Sequence, residues 1–234
     1  MSLELPFDLS GLLLSPAIVD QLIAALLDTL FMVGVAGLIG TVLGLPLGVF
    51  LATSRSGEIF AAPVTNSALG AVVNATRSTP FIILVVAIIP FTRLVAGTSI
   101  GTAAAIVPLT IAATPFIARI VEGAVREVDP GLIEAARAMG ASPLQIVRKV
   151  LVPEALPAIV LGLTLSLVSL IGHSAMVGAV GGGGLGDLGI RYGYQRFMPE
   201  VMLAVVVILV ALVQLVQSAG DSLARRLDRR TRRE

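Results

Sequence analysis

His173-Ser174 sets an imidazole base beside a hydroxyl nucleophile. It lies in a long apolar run that reads as a helix, where sequence neighbours point about 100° apart. A base must reach the hydroxyl it activates, which this geometry denies, so no hydrolase is expected. With one His and no Cys, the chain offers no multi-histidine or thiolate metal site, and no metal is expected. The run Gly181-Gly182-Gly183-Gly184-Leu185-Gly186 has the glycines of a phosphate loop but no following Lys and Ser or Thr. The sole Lys is Lys149, so ATP binding by this chain is not expected. The run reads instead as a flexible outer loop with close backbone packing.

What remains are residues that would act by position. Arg77 and Pro80 interrupt an apolar stretch, and an ionisable residue at membrane depth faces protein or water rather than lipid. His173 fits either a polar contact inside a bundle or the lining of a pathway, and Met176 fits either core filling or a gate.

The elements that must position these residues are membrane helices. Of 234 residues, 56% are hydrophobic and 13% charged, too few polar groups to cover a soluble core of this size. A span needs roughly 20 apolar residues. Leu22–Leu51, Thr98–Ala118, Ala155–Val180 and Val201–Ala219 pass easily. A fifth span, over 68–90, is long enough only if it includes Asn74, Arg77 and Pro80. Prolines also fall within the other spans, at Pro46, Pro108, Pro115 and Pro157, where they would kink helices.

Charge sets the orientation. Arg55, then Arg119, Arg126, Arg137, Arg148 and Lys149, then the Arg225–Arg233 tail fall on one side. Arg93, Arg191 and Arg196 fall on the other. The basic side is expected in the cytoplasm, with the N-terminus outside. Met1–Ser10 has no basic residue, unlike a signal peptide. The expected divisions are an external segment 1–20, a transmembrane unit 21–221 and a basic tail 222–234. Near-zero net charge suggests no nucleic-acid partner, and the tail reads most simply as a positive-inside anchor, with contact to anionic lipid as a second role.

The stretch 127–153 reads EVDPGLIEAARAMGASPLQIVRKVLVP. It predicts two short helices. Asp129 and Pro130 suit a cap and first position, and Leu132, Ile133, Ala136 and Met139 form an apolar stripe. Gly140 suits a left-handed helix end, Ser142 and Gln145 a capping box, and Arg148 with Lys149 a last turn. Such a pair serves either as an interfacial helix on lipid headgroups or as a docking element for a soluble partner.

Here the sequence resembles the permeases of ABC importers. Glu134-Ala135-Ala136, then Gly140, then Val150-Leu151-Val152-Pro153 match the signature EAA, three residues, Gly, nine residues, Ile-x-Leu-Pro, with Val for Ile and Leu. The resemblance extends to the methionine-importing branch through Arg77–Leu84, Ile89–Arg93, Gly97–Gly101, Gln145–Leu151 and Ser174–Met176. His173 stands where that branch would have Tyr.

The resemblance implies an all-α membrane protein of the type I importer permease fold, with five spans and a coupling helix. It implies that Glu134, Ala135, Ala136 and Gly140 dock in a cleft of an ATPase subunit. Arg77, Pro80, His173 and Met176 are the expected pathway and gate residues. A homodimer, two cytoplasmic ABC ATPases that hold ATP and Mg, an external substrate-binding protein and methionine are the implied partners, with no cofactor in this chain. A permease for another amino acid or a phosphonate stays open. So does an ion-coupled carrier, although the last three spans carry none of the carboxylates it would use.

Overall fold

The computed structural model describes residues 15–227, and every regular element among them is helical. Helix α1 (Pro16–Thr53) starts with proline at its first position, where no amide donor is needed. At its far end the freed carbonyls are taken up by the following turn. Asn66 donates to the Leu51 carbonyl and to the Ser54 hydroxyl, and the Phe60 amide to Thr53.

The chain returns through three short helices, α2 (Pro63–Ser78), α3 (Phe81–Ala87) and α4 (Ile89–Ala96). α2 and α3 meet at 104°. The cause is Pro80, which excludes the preceding Thr79 from helical geometry; Thr79 is extended, at φ −81° and ψ 125°. Pro46, Pro108, Pro115 and Pro157 differ, because their helices run on through them.

α5 (Thr102–Arg126) then lies parallel to α1. Gly40, Gly44 and Gly48 of α1 meet Ala113, Thr114 with Ile117, and Ala118 with Val121 in the same order along α5. Two parallel neighbours require the chain to cross back between them. α2 to α4 make that crossing against α5: Gly70 lies at Arg119, Arg77 over Phe116, and Val85 with Thr92 beside Ala104. The expected second span is therefore a bent crossing. It starts at Pro63, earlier than the expected 68, and no single straight helix covers 68–90.

α6 (Pro130–Ala138) leads into α7 (Pro143–Ile146), which is not a separate short helix. It runs through a π-helical segment, Val147–Leu151, into α8 (Val152–Val177). The wider turn absorbs Pro153, which has no amide to donate, so Arg148 and Lys149 sit inside a helix rather than at its end. α8 is antiparallel to α5, with Gly162 against Ile120.

The glycine run is a packed turn rather than a loose loop. It joins α8 to α9 (Gly184–Leu188) so tightly that a Cβ on Gly178 would lie 2.4 Å from the Asp187 amide nitrogen. The Gly101 amide donates to Gly181, and Thr29 of α1 accepts from Leu185. Finally α10 (Pro199–Leu227) packs antiparallel on α8, where Gly220 meets Thr164.

The fold thus has four helices long and apolar enough to cross a membrane among the described residues, and five crossings with the bent α2–α3 pair taken as one. Only Val201, Val205 and Ala224 of α10 are buried, which suits a helix facing lipid. The helices overrun the expected divisions: α1 begins before residue 21 and α10 continues past 222, while 1–14 and 228–234 lie outside the described residues.

Candidate functional site

Two regions collect the residues singled out in the sequence. The first is a cavity of about 390 Å³ between the α2–α3 bend, α5 and α8. Arg77, Pro80 and His173 all line it, together with Phe81, Leu84, Phe116, Ser166, Ser169 and Leu170. The bend explains their meeting. Pro80 turns the chain so that Arg77, at the end of α2, and Phe81, at the start of α3, both open onto the cavity.

Phe81 stacks on the His173 ring, with centroids 4.3 Å apart and planes 26° from parallel. The Arg77 guanidinium carbon lies 5.9 Å from the centre of the Phe116 ring. Ser166 donates back to the Gly162 carbonyl, as helical serines do at membrane depth. Met176, one turn beyond His173, is half exposed and does not line this cavity. The His173–Ser174 pair is split as expected, since the Ser174 hydroxyl donates to the Ile171 carbonyl of its own helix.

The second region is the loop between α5 and α8. The Asp129 carboxylate accepts from the Gly131 amide at 2.8 Å and caps α6. At the other end Gly140 takes φ +77°. Its amide reaches Arg137, and the Ala141 amide reaches Ala136, closing a Schellman motif. Ser142 and Gln145 form the reciprocal capping box.

The apolar stripe divides. Ala136 is buried and Ile133 half-buried against the bundle, while Leu132 and Met139 are exposed, Met139 by 81%. Glu134, Ala135 and Gly140 share the exposed side. Both ends of α6 are fixed by hydrogen bonds, and its outer face carries small and apolar side chains beside the charged Glu134 and Arg137.

Between these regions is a cluster that the sequence reading missed. Glu122 on α5 is 4% exposed and faces three arginines. Arg55 reaches it at 3.0 Å, Arg119 at 2.5 Å and Arg126 at 3.8 Å. Arg119 also donates to the Gly70 carbonyl and the Asn74 side chain of α2. The signal was present in the sequence: a lone acid in an apolar helix with Arg three residues before and four after, the spacing of helical ion pairs.

Comparison with known proteins identifies the family. Residues 44–233 match the family described as "Binding-protein-dependent transport system inner membrane component". The chain is 56% identical to the "Probable D-methionine transport system permease protein MetI" of Vibrio cholerae, over 90% of this chain and 94% of that one. It is 56% identical to the D-methionine transport system permease protein MetI of Escherichia coli K12, over 67% of this chain and 72% of that one. Among solved structures, a chain of the MetNI methionine ABC transporter in inward-facing conformations superposes with a TM-score of 0.90 at 53% identity. That match covers 92% of this chain and all of the other. A chain from an amino acid ABC transporter superposes at 0.74 with 22% identity, a likeness of fold alone. With most of its length matched, from the end of α1 through the α6 loop to α10, this chain belongs to the inner membrane components of binding-protein-dependent transport systems.

Proposed function

We propose that this chain forms the methionine pathway of an ATP-driven importer, working as a homodimer with two ABC ATPases on its cytoplasmic side. The observation that carries this is the placement of α6. It bridges α5 and α8, the two long helices that wall the 390 Å³ cavity. A partner that grips the exposed face of α6 and moves it would move both walls. Glu134, Ala135 and Gly140 lie on that face, with Ala136 anchoring it from beneath.

ATP and Mg would be held by the ATPases, with no cofactor in this chain. An external binding protein would deliver methionine to the opposite end. The positive-inside rule supports this orientation, with Pro16 toward the outside and Leu227 in the cytoplasm. ATP shifts the two halves between inward-open and outward-open forms only as far as it binds one better than the other. The high identity to methionine permeases favours methionine over other amino acids and phosphonates.

The test is uptake of labelled methionine into liposomes holding the chain, its ATPase and its binding protein. Accumulation that requires ATP supports the reading. Accumulation driven by an ion gradient instead would refute it.

A further inference from the structure

Arg77 differs from the bundle arginines that hold a polar partner. Arg55, Arg119 and Arg126 share Glu122, Arg191 pairs with Asp187, and Arg93 donates to Ser99. Arg77 has no hydrogen bond or ion pair among the described residues. Its one recorded neighbour is the face of Phe116. It nevertheless belongs to a crossing segment, where an uncompensated cation is costly, and it opens onto the cavity. Among the described residues no Asp or Glu lines that cavity, so none of them supplies a counter-ion there.

A planar guanidinium recognises a carboxylate through two parallel hydrogen bonds. The same lining carries apolar groups: Phe81 stacked on His173, Leu84, Leu170, and Phe116 beneath Arg77. A volume of about 390 Å³ is near the lower limit of small-ligand pockets, which run from about 300 to 1,000 Å³.

From these observations we infer that the cavity is an intramembrane stopping point for a small apolar amino acid, whose carboxylate pairs with Arg77 and whose side chain lies against Phe81, Leu84 and Leu170. This rests on the import reading and assigns the ligand chemistry of its pathway. The lining offers hydroxyls but no anion for the substrate ammonium, so the site reads the carboxylate and the apolar side chain.

The chain has no cysteine, which gives a direct test. Ser169→Cys places a thiol on the cavity wall of the chain assembled with its ATPase, without binding protein or nucleotide. Its labelling by N-ethylmaleimide is followed with L-methionine or L-methioninamide present. Saturating methionine should slow labelling by at least about fivefold, as occupancy of a site does by mass action, and the amide should not. Adding Arg77→Gln should abolish the protection, and Arg77→Lys should keep part of it. Equal protection by the amide, protection that survives Arg77→Gln, or no protection by methionine would each overturn the assignment. Leu84→Cys gives the same readout should Ser169→Cys not assemble. ATP-driven uptake is measured separately on the unmodified complex. Intact uptake without carboxylate-specific protection removes this site and leaves the importer. Protection without ATP-driven uptake removes the importer and leaves the site.

Discussion

Arg119 holds Glu122 across one turn of α5, Nη1 to Oε2 at 2.5 Å, and with its other terminal nitrogen holds the Gly70 carbonyl of α2 at 3.0 Å. The same carboxylate takes Arg55 from the α1–α2 turn. One buried acid therefore ties three segments together at the end of the bundle from which α6 leaves. Removing one partner of a buried ion pair costs about 3–5 kcal/mol. Arg55 and Arg126 are nearly half exposed, and solvent screening brings the expected cost of Glu122→Gln nearer to about 2 kcal/mol. Thermal unfolding of the purified permease in detergent should show a clear fall in Tm for Glu122→Gln and a small one for Arg55→Gln. An unchanged Tm for Glu122→Gln would remove the cluster from the account of stability.

The glycines of α1 give a sharper steric prediction. A Cβ on Gly48 would come within 2.4 Å of the Ala118 carbonyl oxygen, a backbone atom that cannot swing aside. Gly34 on the same helix has nothing within 4 Å of that position. Gly48→Val should push α1 from α5 and cost about 1–3 kcal/mol or more, as overpacking does. Gly34→Ala should be neutral or slightly stabilising in an exposed helical site. Yield and Tm of the two variants, measured together, separate close approach from glycine content. Equal behaviour would mean that α1 and α5 are not held at this distance.

Those glycines mark what a reading of runs and caps passes over. Gly40, Gly44 and Gly48 recur every four residues, the small-residue spacing of close membrane-helix pairs, yet inside an apolar run they look like composition alone. The four continuous spans were legible because lipid demands an unbroken apolar stretch. The α6 loop was legible because Asp129, Gly140, Ser142 and Gln145 each satisfy a backbone group by a local rule. The bent crossing was half legible. Arg77 and Pro80 announced a departure from a simple span, but the direction of the bend depends on α5 and α8, which are distant in sequence. The continuity of α7 into α8 was hidden for a similar reason. Pro153 argues locally for a break, and a π segment that local rules do not foresee carries the helix past it. Arg77, Pro80 and His173 meet at one cavity, whereas Met176 on the same helix as His173 stays outside its lining.

Gly140 separates backbone from side-chain effects in coupling. Its φ of +77° is open to glycine and, among other residues, best to asparagine. Among the described residues, none beyond its chain neighbours comes within 4 Å of where its Cβ would stand, so the space there is open for a partner. Gly140→Asn should keep the α6 turn and most of the ATPase association. Gly140→Val, which resists positive φ, should strain the turn by about 1–3 kcal/mol and reduce both ATPase co-purification and uptake. Gly140→Asp adds a charge to the exposed face and should uncouple transport while the permease remains folded. Normal co-purification and uptake in all three variants would remove α6 as the docking element.

His173 provides the last test, because its ring stacks on Phe81 and makes no hydrogen bond or ion pair among the described residues. If the ring acts as a cavity wall, its shape matters more than its nitrogens. His173→Phe keeps a stacked pair and should leave ATP-driven uptake within about twofold, with Tm unchanged or slightly raised. His173→Ala removes the stack, worth about 0.5–1.5 kcal/mol beyond its area, and leaves Phe81 free to change rotamer into the space. That variant should lower the Tm by a few degrees and broaden substrate selection, seen as uptake of bulkier apolar amino acids relative to methionine. Loss of uptake in His173→Phe with an unchanged Tm would show instead that an imidazole nitrogen takes part in the passage of substrate.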